Sequence, residues 1–301
     1  MTITAITVIS SVDDANLFNR SLQSYAPYVD EIIVGDNGLT SEHREIIQKN
    51  TPAAKIVPTN NATYVELVRE SLNKLASSEF ILVIDPDETI TGGLIDELKT
   101  HGQSYDYVRV PRKNIIFKKW IEHSRWWPDY QIRFFRKGYV TWEKKLHSVP
   151  LTKGAGFDLP ASEENAITHY NYESIDHYLS KMIRYAHAEA EEKMNRQDYS
   201  LSSAIRQGLD EFTGRFYFAK GYKDGLHGFI LSFLQMFYAF LVYFYWWEGK
   251  KYVDEKADTR IAPLDFFNNG LRDVLFWSQK KNLLQDKMSY IRQKLLSFLL
   301  K

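Results

Sequence analysis

The stretch Phe80-Ile81-Leu82-Val83-Ile84-Asp85-Pro86-Asp87-Glu88 decides the reading of this chain. Five apolar residues running into turn chemistry predict a buried strand. Pro86 has no N–H to give a ladder, so the strand is expected to stop there and hold its carboxylates at its C-terminal edge. Open α/β sheets bind ligands at that edge. Three carboxylates within four residues repel one another, and a divalent cation between them is the expected relief.

Working outward, the first hundred residues alternate between strand and helix patterns. Ile3 to Ile9 reads as a strand, and Asp13 or Asp14 as the cap of a helix reaching Tyr25. Glu31 to Val34 is a second strand, closed by the turn Asp36-Asn37-Gly38. A helix over Ser41 to Lys49, a strand over Lys55 to Val57 and a helical stripe through Val65, Val68, Leu72 and Leu75 lead into the central run. This rhythm predicts an α/β fold with a mostly parallel sheet.

Composition narrows the chemistry. The 301 residues suffice for a substantial core and contain no cysteine, which excludes disulfides and thiolate metal sites. Met1-Thr2-Ile3-Thr4 shows no basic leader pattern, so no signal peptide is expected. Formal net charge is zero but uneven: residues 1–108 carry 7 basic and 16 acidic side chains, residues 109–145 carry 11 basic and 3 acidic. A basic segment following an acidic one suits an anionic substrate such as a nucleoside diphosphate.

Five segments, in order, resemble the family 2 glycosyltransferases of the GT-A fold, nearest to bacterial lipopolysaccharide-core and cell-envelope members. They are the first strand with Val29 to Glu42, Val68 to Glu88, Trp126 to Gly138, Ile167 to Ala190, and Gly221 to Glu248. The resemblance covers roughly residues 3 to 247. It implies a Rossmann-like, mostly parallel mixed sheet with an α-helical C-terminal extension, divided as a transferase domain over 1–225 and a helical region over 226–301. It further implies transfer of a sugar from a nucleotide-diphosphate donor, UDP-sugar favoured, to a hydroxyl of an envelope glycan or glycolipid, with inversion.

The same resemblance implies residue roles. Asp36 would contact the nucleobase, Arg69 the donor phosphates and Asp85 the ribose. Asp87 would hold Mn2+ or Mg2+, with His169 as a further ligand. Asp129 and Glu143 are the acids available to take the acceptor proton, and Trp126, Trp127 and Arg133 would meet the acceptor. The chain departs from the family in having Ser148 after His147 where an acid is usual, and Glu70 after Arg69 where an asparagine is usual.

Two other readings compete. The string Leu82 to Ile90 also fits the D-x-D-x-T strand of haloacid-dehalogenase phosphatases, with Asp85 as nucleophile. A non-catalytic glycan- or membrane-binding protein is the third. Basic residues interleaved with tryptophans fit single-stranded nucleic acid as well, but the chain is not basic overall, and no nucleic-acid partner is expected. Residues Gly228 to Trp247 carry no formal charge and ten aromatics, ending beside Lys250-Lys251. That length permits a span, an in-plane helix at a membrane surface, or a buried helix. Peripheral contact at the cytoplasmic face of an inner membrane is the expected location. Helical patterns over Asn269 to Gln279 and Leu284 to Leu300 complete the tail.

Overall fold

The computed structural model describes residues 1–59, 66–142, 150–194, 196, 199–253, 259–283 and 287–299, with only the backbone of 66, 67, 287, 288, 292 and 299. The chain forms two compact units. One holds residues 1–115 and 127–171, the other 116–126 and 172–301.

The first unit opens with β1 (Ile3–Ser10), α1 (Ala15–Tyr25), β2 (Glu31–Asn37), α2 (Ser41–Asn50), β3 (Lys55–Pro58), α3 (Glu66–Leu75) and β4 (Phe80–Val83). It continues through β5 (Glu88–Thr89), α4 (Gly92–Gly102), β6 (Tyr107–Val110) and β7 (Arg112–Ile116). After β8 (Lys119–Trp120), which lies in the other unit, come β9 (Gln131–Arg136), β10 (Val140–Thr141), β11 (Leu151–Thr152), β12 (Gly156–Asp158) and β13 (Ile167–Tyr172).

Seven strands build its main sheet in the order β12-β6-β9-β4-β1-β2-β3. β1 runs parallel to both β2 and β4, with Thr4 opposite Glu31 and Ile3 opposite Phe80. β3 extends the parallel run beyond β2, while β9 is antiparallel to β4 and to β6. The order therefore reverses at β1: the chain moves outward to β2 and β3, then returns to place β4 on the other side. The mixed α/β fold with a largely parallel centre is the one the sequence predicts.

Strand periodicity explains why both faces are dry. Ile3, Ala5 and Ile9 of β1 join Phe80, Leu82 and Ile84 in one core, covered by Phe18 and Leu22 of α1 and Leu94, Ile95 and Leu98 of α4. Ile6, Val8, Ile81 and Val83 point the other way, onto Val68 and Leu72 of α3. Successive strand side chains alternate faces, so near-continuous apolar runs fill two cores. Gly35 of β2 lets α3 close in, since a Cβ there would sit 2.9 Å from Leu72 Cδ1.

Asp14 caps α1, its carboxylate accepting the Leu17 N–H at 2.8 Å. Asp13 instead turns back to accept the Ser10 N–H at 2.7 Å. A smaller sheet sets β13 antiparallel to β5, with His169 opposite Glu88, and β7 on its other side.

The second unit is helical: α5 (Ile175–Lys193), α6 (Leu201–Thr213), α7 (Leu226–Gly249), α8 (Ala262–Lys280) and α9 (Lys287–Leu299). Ser174 and Ser200 cap α5 and α6. Val242, Tyr243 and Trp246 of α7 pack with Ala186 and Ala190 of α5 and Ala204 of α6, and Met236 packs with Ile205 and Leu209. Segment 116–126 is tied to this unit by Asp224, whose carboxylate accepts the His123 N–H at 3.0 Å and whose carbonyl accepts Lys119 Nζ at 2.9 Å.

Candidate functional site

The site begins where β4 runs out. Ile84 still donates its N–H to Ile6 of β1 at 3.1 Å; then Asp85-Pro86-Asp87 turns, closed by the Glu88 N–H donating to the Asp85 carbonyl at 3.0 Å. Three carboxylates leave this turn, in two directions.

Asp85 and Glu88 turn toward arginines. Asp85 Oδ1 accepts Arg69 Nη2 at 2.7 Å, and Oδ2 accepts Arg133 Nη2 at 2.5 Å. The same Arg133 nitrogen donates to Glu88 Oε1 at 2.5 Å, and Arg112 Nη1 reaches that oxygen at 3.3 Å. Glu88 Oε2 accepts the Asp85 N–H at 3.1 Å. Burial would raise the Asp85 carboxyl, but the guanidiniums of Arg133, Arg69 and Arg112 override it and hold it well below the usual carboxylate range. Arg133 is pushed further up by the same pairing against the desolvation that would lower it. The expectation that a single cation relieves all three acids is therefore corrected: two of them are neutralised by arginine.

Asp87 faces the other way, toward β13. Its Oδ2 lies 3.4 Å from His169 Nε2, and its carbonyl accepts the Tyr170 N–H at 2.8 Å. His169 is buried and oriented from behind: its Nδ1 lies 2.7 Å from Asn114 Oδ1 on β7. The Asn114 amide cannot be reversed without setting its oxygen against a carboxylate, because its Nδ2 donates to Asp129 Oδ2 at 3.2 Å. Asn171 Nδ2 donates to the same Asn114 oxygen at 3.3 Å. An acceptor facing Nδ1 makes Nδ1 the protonated ring nitrogen and leaves the Nε2 lone pair of the neutral ring aimed at Asp87. Two electron-rich atoms 3.4 Å apart are favourable only with a cation between them, a proton or a metal.

Asp129 is occupied. Its Oδ2 accepts Arg112 Nε at 2.9 Å and Nη2 at 2.6 Å, and its Oδ1 accepts Gln131 Nε2 at 2.9 Å. Burial opposes ionisation there, and Arg112 with Asn114 and Gln131 outweighs it, holding the carboxyl below its ordinary value.

Asp36 closes β2, where it pairs with Ile9 in register. Its Oδ1 accepts the N–H of Gly38 at 3.0 Å and of Leu39 at 2.8 Å, shaping the turn in which Gly38 takes φ +111°. Arg44 Nη2 meets Oδ2 at 2.5 Å. Against a desolvation cost, these donors lower the Asp36 carboxyl too.

The structure thus gathers Arg69, Asp85, Asp87, Asp129, Arg133 and His169 into one connected network inside the first unit. Arg133, expected at the acceptor, is 2% exposed and spans the carboxylates of Asp85 and Glu88. Trp127 is half-buried in this unit. Trp126 belongs to the second unit, packed edge-on to Tyr172 with the Arg215 guanidinium 5.7 Å from its ring centre. Glu143, His147 and Ser148 lie outside the described residues. Sequence reasoning counted Glu88 among the acids without giving it a role, and missed Arg112, Asn114 and Asn171. For the last three a signal was partly present, since Arg112 and Asn114 share one face of a strand by period two.

No family model and no curated protein sequence matches the chain. Solved structures share parts of its architecture at low identity. The mannosyltransferase PcManGT from Pyrobaculum calidifontis, in complex with GDP-Man and Mn2+, gives a TM-score of 0.46 at 11% identity, over 99% of this chain and 84% of its own. S. aureus TarS 1-349 in complex with UDP-GlcNAc gives 0.42 at 14% identity, over 79% and 81%. The bifunctional IspDF from Campylobacter jejuni gives 0.39 at 12% identity over 55% of this chain, which spans about half of that protein (51%). These scores all fall below 0.5, so the functional reading rests on the site's own geometry.

Proposed function

We propose that this chain is a glycosyltransferase of the GT-A type, moving a sugar from a nucleoside-diphosphate donor, UDP-sugar favoured, to a hydroxyl of an envelope glycan or glycolipid with inversion. The observation that carries the reading is the Asp87–His169 pair, 3.4 Å apart at the C-terminal edge of parallel strands, beside the point where strand order reverses. That crevice is where open α/β sheets take nucleotides.

The donor set fits a divalent cation of the Mn2+ or Mg2+ kind. One carboxylate oxygen and one imidazole nitrogen converge there, 3.4 Å apart, and both are donors that such ions accept. Imidazole favours manganese of the two. Among the described residues no cluster of three or more such side chains occurs, so the remaining positions would fall to diphosphate oxygens and water, the usual share for such ions. Bound there, the cation would supply positive charge for the departing diphosphate.

The chain's own residues then divide the work. Asp87 and His169 hold the charged end of the donor. Asn114 and Asp129 keep the imidazole turned. Arg69 and Arg133 hold Asp85 ionised at the end of β4, where it can accept hydrogen bonds from donor hydroxyls, and Asp36 shapes the turn at the neighbouring strand end for the base. Asp129 is already saturated by Arg112, Asn114 and Gln131, so we assign it to positioning and take Glu143 as the acceptor base. The phosphatase reading needs Asp85 as a strong nucleophile, and its pairing with Arg69 and Arg133 draws charge from both oxygens and works against that role.

A thermal-shift panel of nucleoside diphosphates with and without Mn2+ tests this. At a ligand concentration of a hundred times Kd, the expected gain is about 2.7 kcal/mol, or roughly 5–10 °C in midpoint. It should require Mn2+ and vanish in Asp87→Ala, whose own midpoint stays near wild type. No shift with any nucleotide in folded protein would sink the proposal and favour the non-catalytic binding reading.

A further inference from the structure

The second unit presents a face that its fold does not use. Leu226, Phe229, Phe233, Phe237, Phe240 and Phe244 follow one another on α7 at spacings of three and four, which puts them on one narrow stripe. All are exposed except Phe240, which is half-buried. The opposite side of the helix, through Leu231, Met236, Ala239, Val242 and Trp246, is the core of the unit. A surface helix normally turns charge outward. This one turns out phenylalanine, and residues 228–247 contain no charged side chain.

The stripe continues onto α8. The Phe240 ring meets Phe266 at 5.8 Å, Phe266 meets Phe267 at 5.1 Å, and Phe267 is 69% exposed beside exposed Leu264. Lysines border the apolar surface. Lys220 and Lys223 precede α7 and Lys251 follows it, while Lys250 turns back to the packed side and donates to the Met194 carbonyl at 2.8 Å. At the far end of α8, Lys280 Nζ lies 5.0 Å from the Trp277 ring centre and Lys281 Nζ 5.6 Å from that of exposed Phe218.

We propose that this face is a docking surface for an anionic lipid bilayer, lying in the membrane plane. Phenylalanines enter the acyl boundary while lysines, their stems laid along aromatic rings, reach lipid phosphates. Helix α7 is long and apolar enough to span, but a span would strip its inner side from α5 and α6, so it stays in the fold. Charge decides the occupant: Lys220, Lys223, Lys251, Lys280 and Lys281 outnumber Glu248 and Asp265 around an uncharged aromatic stripe, and that net positive border complements an anionic surface and would repel its own copy. The inference is independent of the nucleotide-sugar reading.

The test is flotation of the full chain with phosphatidylcholine vesicles, with and without phosphatidylglycerol, at low and high salt. Wild type is expected to float with the anionic vesicles. Phe233→Ser with Phe237→Ser should lower the partition coefficient at least about tenfold at either salt. Lys280→Ala with Lys281→Ala should remove much of the preference for anionic lipid, and high salt should do the same to wild type. Circular dichroism melts check that both variants fold. Failure of wild type to float, or equal flotation of the phenylalanine variant, overturns the proposal. So does a vesicle-free dimer that the phenylalanine variant dissolves, which would make the face an interface between copies.

Discussion

Replacing Arg133 by methionine removes the shared donor of two carboxylates while roughly keeping volume. Its Nη2 makes 2.5 Å bonds to Asp85 and to Glu88, and Glu88 is 0% exposed. Each hydrogen bond to a charged group contributes about 1.5–3 kcal/mol, and unpairing a buried ion costs about 3–5 kcal/mol. Partial compensation remains, because Arg69 keeps Asp85 and Arg112 keeps Glu88 at 3.3 Å. The expected loss is about 4 kcal/mol, a large share of the roughly 5–15 kcal/mol that a domain possesses. Urea unfolding followed by circular dichroism measures it. Adding Glu88→Gln should return part of the loss, with a coupling of about 1–3 kcal/mol in the double-mutant cycle. An Arg133→Met variant within about 1 kcal/mol of wild type, or a cycle additive to about 0.5 kcal/mol, would refute the claim that arginine and not a metal neutralises this pair.

Asn114→Leu should leave Asp87 and His169 in place but release the imidazole, weakening Mn2+ binding about 10- to 100-fold by titration calorimetry; unchanged affinity would remove Asn114 from the site. Glu31 accepts from Thr4, Lys55 and Ser77, donors that outweigh its desolvation and lower its carboxyl from 4.5 to about 2. A lowered folded value means stability fully present above pH 4.5 and lost as pH falls through about 2; solvent around the exposed Lys55 screens the pairing, so the contribution is about 1–2 kcal/mol. Glu31→Gln should therefore cost about that much at pH 7 and flatten the acid limb; parallel stability curves would refute it. In Gly228→Ala the added Cβ would land inside the Gly221 carbonyl oxygen, so a loss of at least about 2 kcal/mol is expected, and a neutral melt would contradict the close approach at the start of α7.

The early strands and helices were legible because each carries its own period. β1, β2 and β4 are apolar runs bounded by turns, and the Asp14 cap and the Asp36-Asn37-Gly38 turn act within three residues of themselves. Strands β6 to β13 were not legible: many are two or three residues long, and their pairings join residues far apart in sequence. The antiparallel insertion of β9 beside β4 has no local signal at all. The turn carrying Asp85, Asp87 and Glu88 was visible, but a row of acids in one dimension does not say which way each will point.

What the sequence alone determined is therefore the α/β class, the buried run ending at Asp85, the residue types at that edge and the uncharged aromatic stretch from Gly228 to Trp247. Tertiary structure alone decided the partners. It brought Arg112 and Arg133 from β7 and β9 onto the acids, turned His169 on Asn114 toward Asp87, and divided α7 into a packed side and an exposed phenylalanine stripe. Electrostatic pairing and burial depend on distance in space, and a sequence encodes such distances only through the fold it forms.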